Sequence, residues 1–412
     1  MGNNGKVVLA YSGGLDTSVC VRYLQTLHKL DVITVTVDCG QHDDFKEIEK
    51  KADAIGAIKH VYIDAREDFA RDYIVPSIKA NGLYQGKYPL ATALARPLIA
   101  AKAVEVAKKE GAIAVAHGCT GKGNDQIRFD VTMRALSPDL KIIAPIRDLN
   151  LTRDLEISFA KEQNIAISSE AKKYSIDINL WGRALEGGKI EEADFEPPED
   201  AFQFINFQND KAGYMEIEFE EGIPVAVDDD EHIPLVDLIQ YANDMAGGHG
   251  VGIVDHIEDR VVGIKSREVY EAPAALAIIE AHKDLEKMVL TKHELAFKQI
   301  VDNQWSWLAY SGLWQDPLRT DLDKFIDATQ NRVSGKVRLK MEKGSLRVVG
   351  RESKYSLYKD SLATYAKGST FDQSLAKGFV ELWGLQSVTA NSVTAGVNID
   401  RKQKEVKNEI KN

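Results

Sequence analysis

The sequence predicts an α/β chain: a doubly wound parallel sheet comes first, an α+β part follows, and a short helical tail closes it. Three observations support this. Apolar runs alternate with helical patterns over residues 1–170, which is the signature of parallel strands joined by crossover helices. A Ser-Gly-Gly turn links the first apolar run directly to the first helical pattern. Beyond the acidic, proline-bearing stretch from Glu191 to Asp200, strands and helices are segregated rather than alternating.

In chain order, Val7 to Ala10 reads as a strand and Ser18 to Leu27 as the helix after it. Val32 to Val37 and Asp44 to Ile55 repeat the unit, as do His60 to Ile63 and Glu67 to Ile78. A long alanine-rich helix from Thr92 to Glu110 leads into the short strand Ile113 to Ala116, Lys141 to Pro145 adds a strand, and Asp154 to Gln163 closes this part as a helix. Ligands of such sheets bind beyond the C-terminal strand ends, and Ser12 and His117 both fall there. In residues 171–378, Tyr214 to Val227 alternates like a hairpin, Leu235 to Met245 is a helix, and short strands run through Val251 to Ile264. Helices are expected at Pro273 to Val289 and His293 to Tyr310, and a second hairpin turns at Lys343-Gly344. Residues 379–412 are partly helical and too few for a core of their own, so we expect them to pack on another subunit.

Composition narrows the function. The 412 residues are 44% hydrophobic and 28% charged, ordinary for a globular enzyme and long enough for more than one domain. No uncharged apolar stretch approaches the roughly 18 residues of a membrane span, and the first residues lack a basic end followed by an apolar core, so a cytoplasmic protein with no membrane partner is expected. Cys20, Cys39 and Cys119 are scattered and form neither a disulfide framework nor a zinc motif. With 63 acids against 52 bases, the net charge of −11 argues against nucleic acid as a partner. A small anion is not excluded, because screening confines exposed charge to about 8 Å and the donors nearest the ligand decide.

Those donors are concentrated in Ser12-Gly13-Gly14-Leu15-Asp16-Thr17-Ser18. Adjacent glycines let the backbone turn and bring N–H groups against an anion, while three hydroxyls and the positive end of the following helix add to the cradle. No lysine follows as in a Walker loop. Instead Asp16 stands in the first helical turn, and a carboxylate beside a polyphosphate calls for a bridging cation, most simply Mg2+. The stretch His117-Gly118-Cys119-Thr120-Gly121-Lys122-Gly123-Asn124-Asp125-Gln126-Ile127-Arg128-Phe129 is a second cradle, in which Asn124 and Asp125 can cap a helix or hold an ammonium and Arg128 suits a carboxylate bidentately.

The first loop resembles the pyrophosphate loop of the ATP pyrophosphatases. Together with Gly40-Gln41, Leu94-Ala95-Arg96-Pro97, the second cradle, Tyr174-Ser175-Ile176-Asp177, His249-Gly250-Val251-Gly252, Lys265-Ser266-Arg267 and Gly350-Arg351-Glu352, it makes nearly the whole chain similar to the argininosuccinate synthase family. The resemblance implies an ATP pyrophosphatase-type nucleotide-binding domain over 1–170, an α+β catalytic and multimerisation domain over 171–378 and an oligomerisation tail over 379–412, in a homotetramer. It implies that ATP, carried with Mg2+, is bound by Ala10, Tyr11, Ser12, Gly13, Gly14, Leu15, Asp16, Thr17, Ser18, Val37 and Gly118. Thr120, Asn124 and Asp125 would hold aspartate; Tyr88, Asn124, Arg128, Ser175, Glu258 and Tyr270 would hold citrulline. Asp16 would serve the metal, and Asp16, Asp125 and Arg128 the chemistry. That chemistry would be adenylation of the ureido oxygen of citrulline with loss of pyrophosphate, then attack by the aspartate amine with loss of AMP. His117 is a candidate base for that attack.

Some members of the family carry serine where this chain has Ala93 and Ala184, which would cost citrulline binding about 0.5–1.5 kcal/mol per lost hydrogen bond. Two other readings are a tRNA-modifying pyrophosphatase relative, which would want a basic face and reactive cysteines, and a nucleotide-binding module without turnover, which would have no use for the second cradle.

Overall fold

The computed structural model describes residues 5–166, 174–206, 208–209, 211–228, 230, 233–365 and 368–396. The chain divides into two compact units, Met1–Leu357 and Tyr358–Asn412.

The larger unit begins with five parallel strands: β1 (Lys6–Ala10), β2 (Asp31–Asp38), β3 (Lys59–Asp64), β4 (Ala114–Ala116) and β5 (Lys141–Ile143). Their order is β3-β2-β1-β4-β5, so the chain builds outward from β1 on one side and then crosses to β4 on the other. The reversal leaves a crevice at the C-terminal ends of β1 and β4, the switch point at which such sheets take ligands. Both faces of β1 are covered. Val7 and Leu9 pack against α1 (Leu15–Thr26), α2 (Phe45–Ile55) and α6 (Arg153–Glu162), while Val8 and Ala10 face α4 (Ala91–Glu110) and its neighbours. That double burial is why β1 reads as a continuous apolar run instead of an alternating one, and why the Thr34 and Thr36 side chains of β2 are buried with its valines. The expected helix from Glu67 to Ile78 is helical over 66–79 (α3) but contains a π turn, Ala70–Ile74. α5 (Asp125–Leu136) follows the second cradle.

Two antiparallel sheets complete this unit. One has the order β10-β11-β7-β6, with β6 (Ser175–Asn179), β7 (Gly182–Glu186), β10 (Ile253–Asp259) and β11 (Lys265–Glu271), so the strand signal near Ile264 extends to Glu271. The other, β13-β12-β8-β9, joins the hairpin β8 (Gly213–Glu220) and β9 (Ile223–Val227) to the hairpin β12 (Gly335–Glu342) and β13 (Ser345–Glu352). α7 (Leu235–Gly248), α8 (Pro273–Val289), α9 (Lys292–Tyr310) and α10 (Pro317–Gln330) pack among them; α9 opens with a reciprocal Thr291/Glu294 capping box.

The β6–β7 turn docks on the parallel sheet: Leu180 N–H donates to the Cys39 carbonyl at the end of β2 at 2.8 Å, and Asn179 donates to the Ala91 carbonyl at 3.0 Å. The antiparallel sheet is thereby held beside the ligand-binding end of the parallel one. In the smaller unit, α11 (Ser374–Trp383) and α12 (Leu385–Thr394) confirm partial helicity, and Phe379 stacks on Trp383. The rest of the tail, 397–412, lies outside the described residues.

Candidate active site

Gly13, at φ +74°, makes the turn out of β1, and Gly14 sits as N-cap of α1. The hydroxyls of the loop brace one another: Ser12 and Thr17 are 3.2 Å apart, Thr17 donates to the Gly14 carbonyl at 3.3 Å, and Tyr11 and Ser18 hydroxyls are 3.2 Å apart. Gly118 lies against this loop, since a β-carbon there would sit 3.1 Å from Thr17 Cγ2. The two glycine-rich segments, roughly a hundred residues apart in sequence, therefore form one crevice. Val37 is buried at the end of β2 beside it.

Asp16 is partly exposed and accepts from Arg153 Nη1 at 2.8 Å. Against it lies Glu156, 4% exposed, with Oε2 buried and unpartnered among the described residues. Burial first, and then the Asp16 carboxylate, push the Glu156 carboxyl up to about 8. Among the described residues no three or more His, Cys, Asp or Glu side chains converge as a metal cage. A partly exposed carboxylate beside a phosphate cradle, as Asp16 is, does suit Mg2+, which keeps several waters and needs few protein ligands when a substrate phosphate is present.

Past the second cradle, a buried network gathers most of the residues expected for the amino acids. Asp125 accepts from Arg96 Nε at 2.7 Å and from Arg128 Nη1 at 2.9 Å, and Arg96 Nη2 reaches Asp177 at 2.7 Å. Burial works to raise the Asp125 carboxyl's pKa, but the two arginines outweigh it and hold it below the usual range. Arg128 spends Nε and Nη2 on the Tyr310 carbonyl, at 3.1 and 3.0 Å, which leaves two of its five N–H donors. Asn124 donates to the Tyr310 hydroxyl at 2.8 Å and accepts from Val261 N–H at 2.9 Å. Glu258 accepts from Tyr270 at 2.8 Å and from Tyr310 at 2.6 Å. Tyr88 stacks on Tyr270, with ring centroids 4.1 Å apart. Burial raises the phenol pKa values of Tyr88, Tyr270 and Tyr310; Glu258 raises them further.

Strand register explains the clustering. Opposite each other in the antiparallel sheet are Ser175 and Glu186, Asp177 and Ala184, Ala184 and Tyr270, and Ser266 and Glu258. Opposed residues share a face and alternate residues repeat it, so Ser175, Asp177, Ala184, Glu186, Glu268, Tyr270 and Glu258 all lie on one face.

Thr120 and Ser175 stand apart from the buried network: both are exposed, and neither makes a side-chain hydrogen bond among the described residues. His117 is not placed as a base. It is buried; Nε2 is 2.7 Å from Asp130, and Nδ1 accepts the Cys119 N–H at 3.2 Å. The ring's one acceptor nitrogen is thus occupied in shaping the loop. Sequence reasoning also missed Tyr310, which stacks face to face on Tyr84 at 3.5 Å and touches Glu258, Asn124 and Arg128. It ends a helix whose pattern signals only core. Arg96, Asp125 and Asp177 were each visible within a motif, but their pairing was not.

Comparisons with known proteins establish the family. The family model for the arginosuccinate synthase N-terminal HUP domain matches residues 6–166, and that for the arginosuccinate synthase C-terminal domain matches 174–390. The argininosuccinate synthase of Pyrococcus furiosus is 55% identical over 98% of this chain and 99% of its own length. That of Pyrobaculum aerophilum is 55% identical over 93% and 98%, and that of Methanocaldococcus jannaschii is 54% identical over 92% and 96%. With matches spanning both halves and both cradles, the chain belongs to the argininosuccinate synthase family.

Proposed function

We propose that the chain is an AMP-forming carbon–nitrogen ligase that joins citrulline to aspartate at the expense of ATP in arginine biosynthesis. The observation that carries this reading is the crevice shared by the Ser12 to Ser18 loop and Gly118, continuous through α5 with a buried Arg/Asp/Glu/Tyr network suited to amino acids.

The ureido oxygen of citrulline attacks the α-phosphorus of ATP, and pyrophosphate leaves into the Ser12 to Ser18 loop, whose N–H groups, hydroxyls and helix terminus stabilise its growing charge. The aspartate amine then attacks the activated carbon, and AMP departs. Asp125 orients the amine, and the two unused N–H groups of Arg128 meet the citrulline carboxylate. Glu258, Tyr88 and Tyr270 enclose the rest of citrulline, with Ser175 at the rim; Asn124 touches both amino acids, and Thr120 touches aspartate. No protein nucleophile is required. Mg2+ would travel on the polyphosphate with Asp16 in reach of its waters, supplying charge neutralisation there.

We read the chain as a cytoplasmic homotetramer divided functionally at about residues 170 and 378, with the tail as an oligomerisation element. Support for the tail comes from the apolar Phe379, Val380, Leu382 and Trp383 carried by α11. Light scattering of the full chain against a chain ending at 378 tests this, with loss of the tetramer expected.

The chemistry is tested by citrulline carrying oxygen-18 in its ureido group. The label is expected in AMP; its appearance in pyrophosphate or retention in the amino-acid product would refute the route.

A further inference from the structure

Adenylation leaves a second problem, because aspartate arrives as an ammonium and cannot attack until it loses a proton. His117 has no free acceptor nitrogen for that proton, since Cys119 N–H occupies Nδ1. Asp125 is already held between Arg96 and Arg128. One carboxyl group on the site-facing side of the antiparallel sheet is differently placed. Glu186 ends β7 opposite Ser175, and its side chain remains 43% accessible. Arg260 holds it at 3.1 Å, holds Glu268 at 2.6 Å, and also reaches the Lys122 carbonyl in the second cradle at 3.4 Å.

We propose that the Glu186 carboxylate is the proton acceptor for the aspartate amine, because the sheet puts it on the face that carries Asp177 and Tyr270 and Arg260 ties it to the loop that leads into Asp125. The inference rests on the adenylation reading given above. The groups that face Glu186 are Glu268 on β11, Arg260 in the β10–β11 turn, Asp125 on α5 and Asp177 on β6. Crowding by protein and the charge of Glu268 raise its carboxyl to about 7 against the pull of Arg260, which suits a base at neutral pH. In the step, one ammonium proton passes to the Glu186 carboxylate and the freed amine forms a bond to the activated carbon. The bond from that carbon to the AMP oxygen breaks, its electron pair leaves with AMP, and the second N–H proton goes to the departing phosphate. The product keeps the positive charge on its guanidinium group.

The test separates the two half-reactions in Glu186→Gln, which keeps an acceptor for Arg260. Release of pyrophosphate from ATP and citrulline in a single turnover without aspartate should stay within a few-fold of the unmodified enzyme. Argininosuccinate formation should fall by about 100- to 10,000-fold and lose its rise with pH near neutrality. Hydroxylamine, a nucleophile uncharged at neutral pH, should trap the adenylate equally fast in both proteins. Glu268→Gln should move the acid limb of the unmodified profile to lower pH, which a purely structural role would not do. Equal loss of both half-reactions, or an unchanged pH profile in Glu186→Gln, would overturn the assignment. Absence of citrulline-dependent pyrophosphate release from the unmodified enzyme would instead overturn the adenylation reading.

Discussion

Tyr310 donates its hydroxyl proton to Glu258 at 2.6 Å while accepting a hydrogen bond from Asn124, so a helix end 186 residues further along the chain than Asn124 completes the amino-acid pocket. Removing that hydroxyl leaves a buried carboxyl and a buried amide each short of a partner. Tyr310→Phe should therefore lower unfolding free energy by about 1.5–3 kcal/mol, measured in urea, and raise KM for citrulline more than it changes KM for ATP.

Asp125 lies between the buried Arg128 and the half-buried Arg96, and its loss has two effects at once. Truncation in Asp125→Ala should cost about 3–5 kcal/mol in stability, because Arg96 and Arg128 are left facing each other's charge in a poorly solvated space. Asp125→Asn keeps the shape, so its activity loss, assayed below its melting temperature, is the better measure of the residue's role toward aspartate.

Asp16 behaves oppositely. Its pair with Arg153 is largely open to solvent, so Asp16→Asn should shift stability by no more than about 1 kcal/mol. Turnover should nevertheless fall by orders of magnitude, with the Mg2+ concentration needed for half-activity rising. Unchanged turnover at saturating Mg2+ and ATP would remove Asp16 from the metal's surroundings.

Glu156 gives a pH signature. Its carboxyl is raised from an ordinary 4.5 to about 8 by burial and by Asp16, so between those values the folded chain holds a proton that the unfolded chain has released. Stability through this group is therefore greatest below pH 4.5 and is lost as pH rises toward 8. Glu156→Gln should remove that component, and thermal melts from pH 5 to 9 should show the variant gaining on the unmodified protein as pH increases.

Much of this was legible in the sequence, for definable reasons. The first cradle announces itself because its glycines, hydroxyls and acid are contiguous and follow a strand; local chemistry needs no tertiary knowledge. The parallel sheet was readable from alternating strand and helix patterns. Glu258 and Tyr270 were placed through family resemblance, since nothing in their immediate neighbourhood marks them. Tyr310, Glu186 and Arg153 escaped because their meaning lies in partners 182, 74 and 137 residues away. The π turn in α3 was hidden because its residues satisfy a helical pattern equally well.

The grip of Arg128 on the Tyr310 carbonyl has a consequence for how such chains can diverge. A main-chain oxygen is present whatever amino acid occupies the position, so one side of this seam is insensitive to substitution. Front and rear segments exchanged between distant relatives should keep this docking point, leaving only the phenol contacts to be matched by selection.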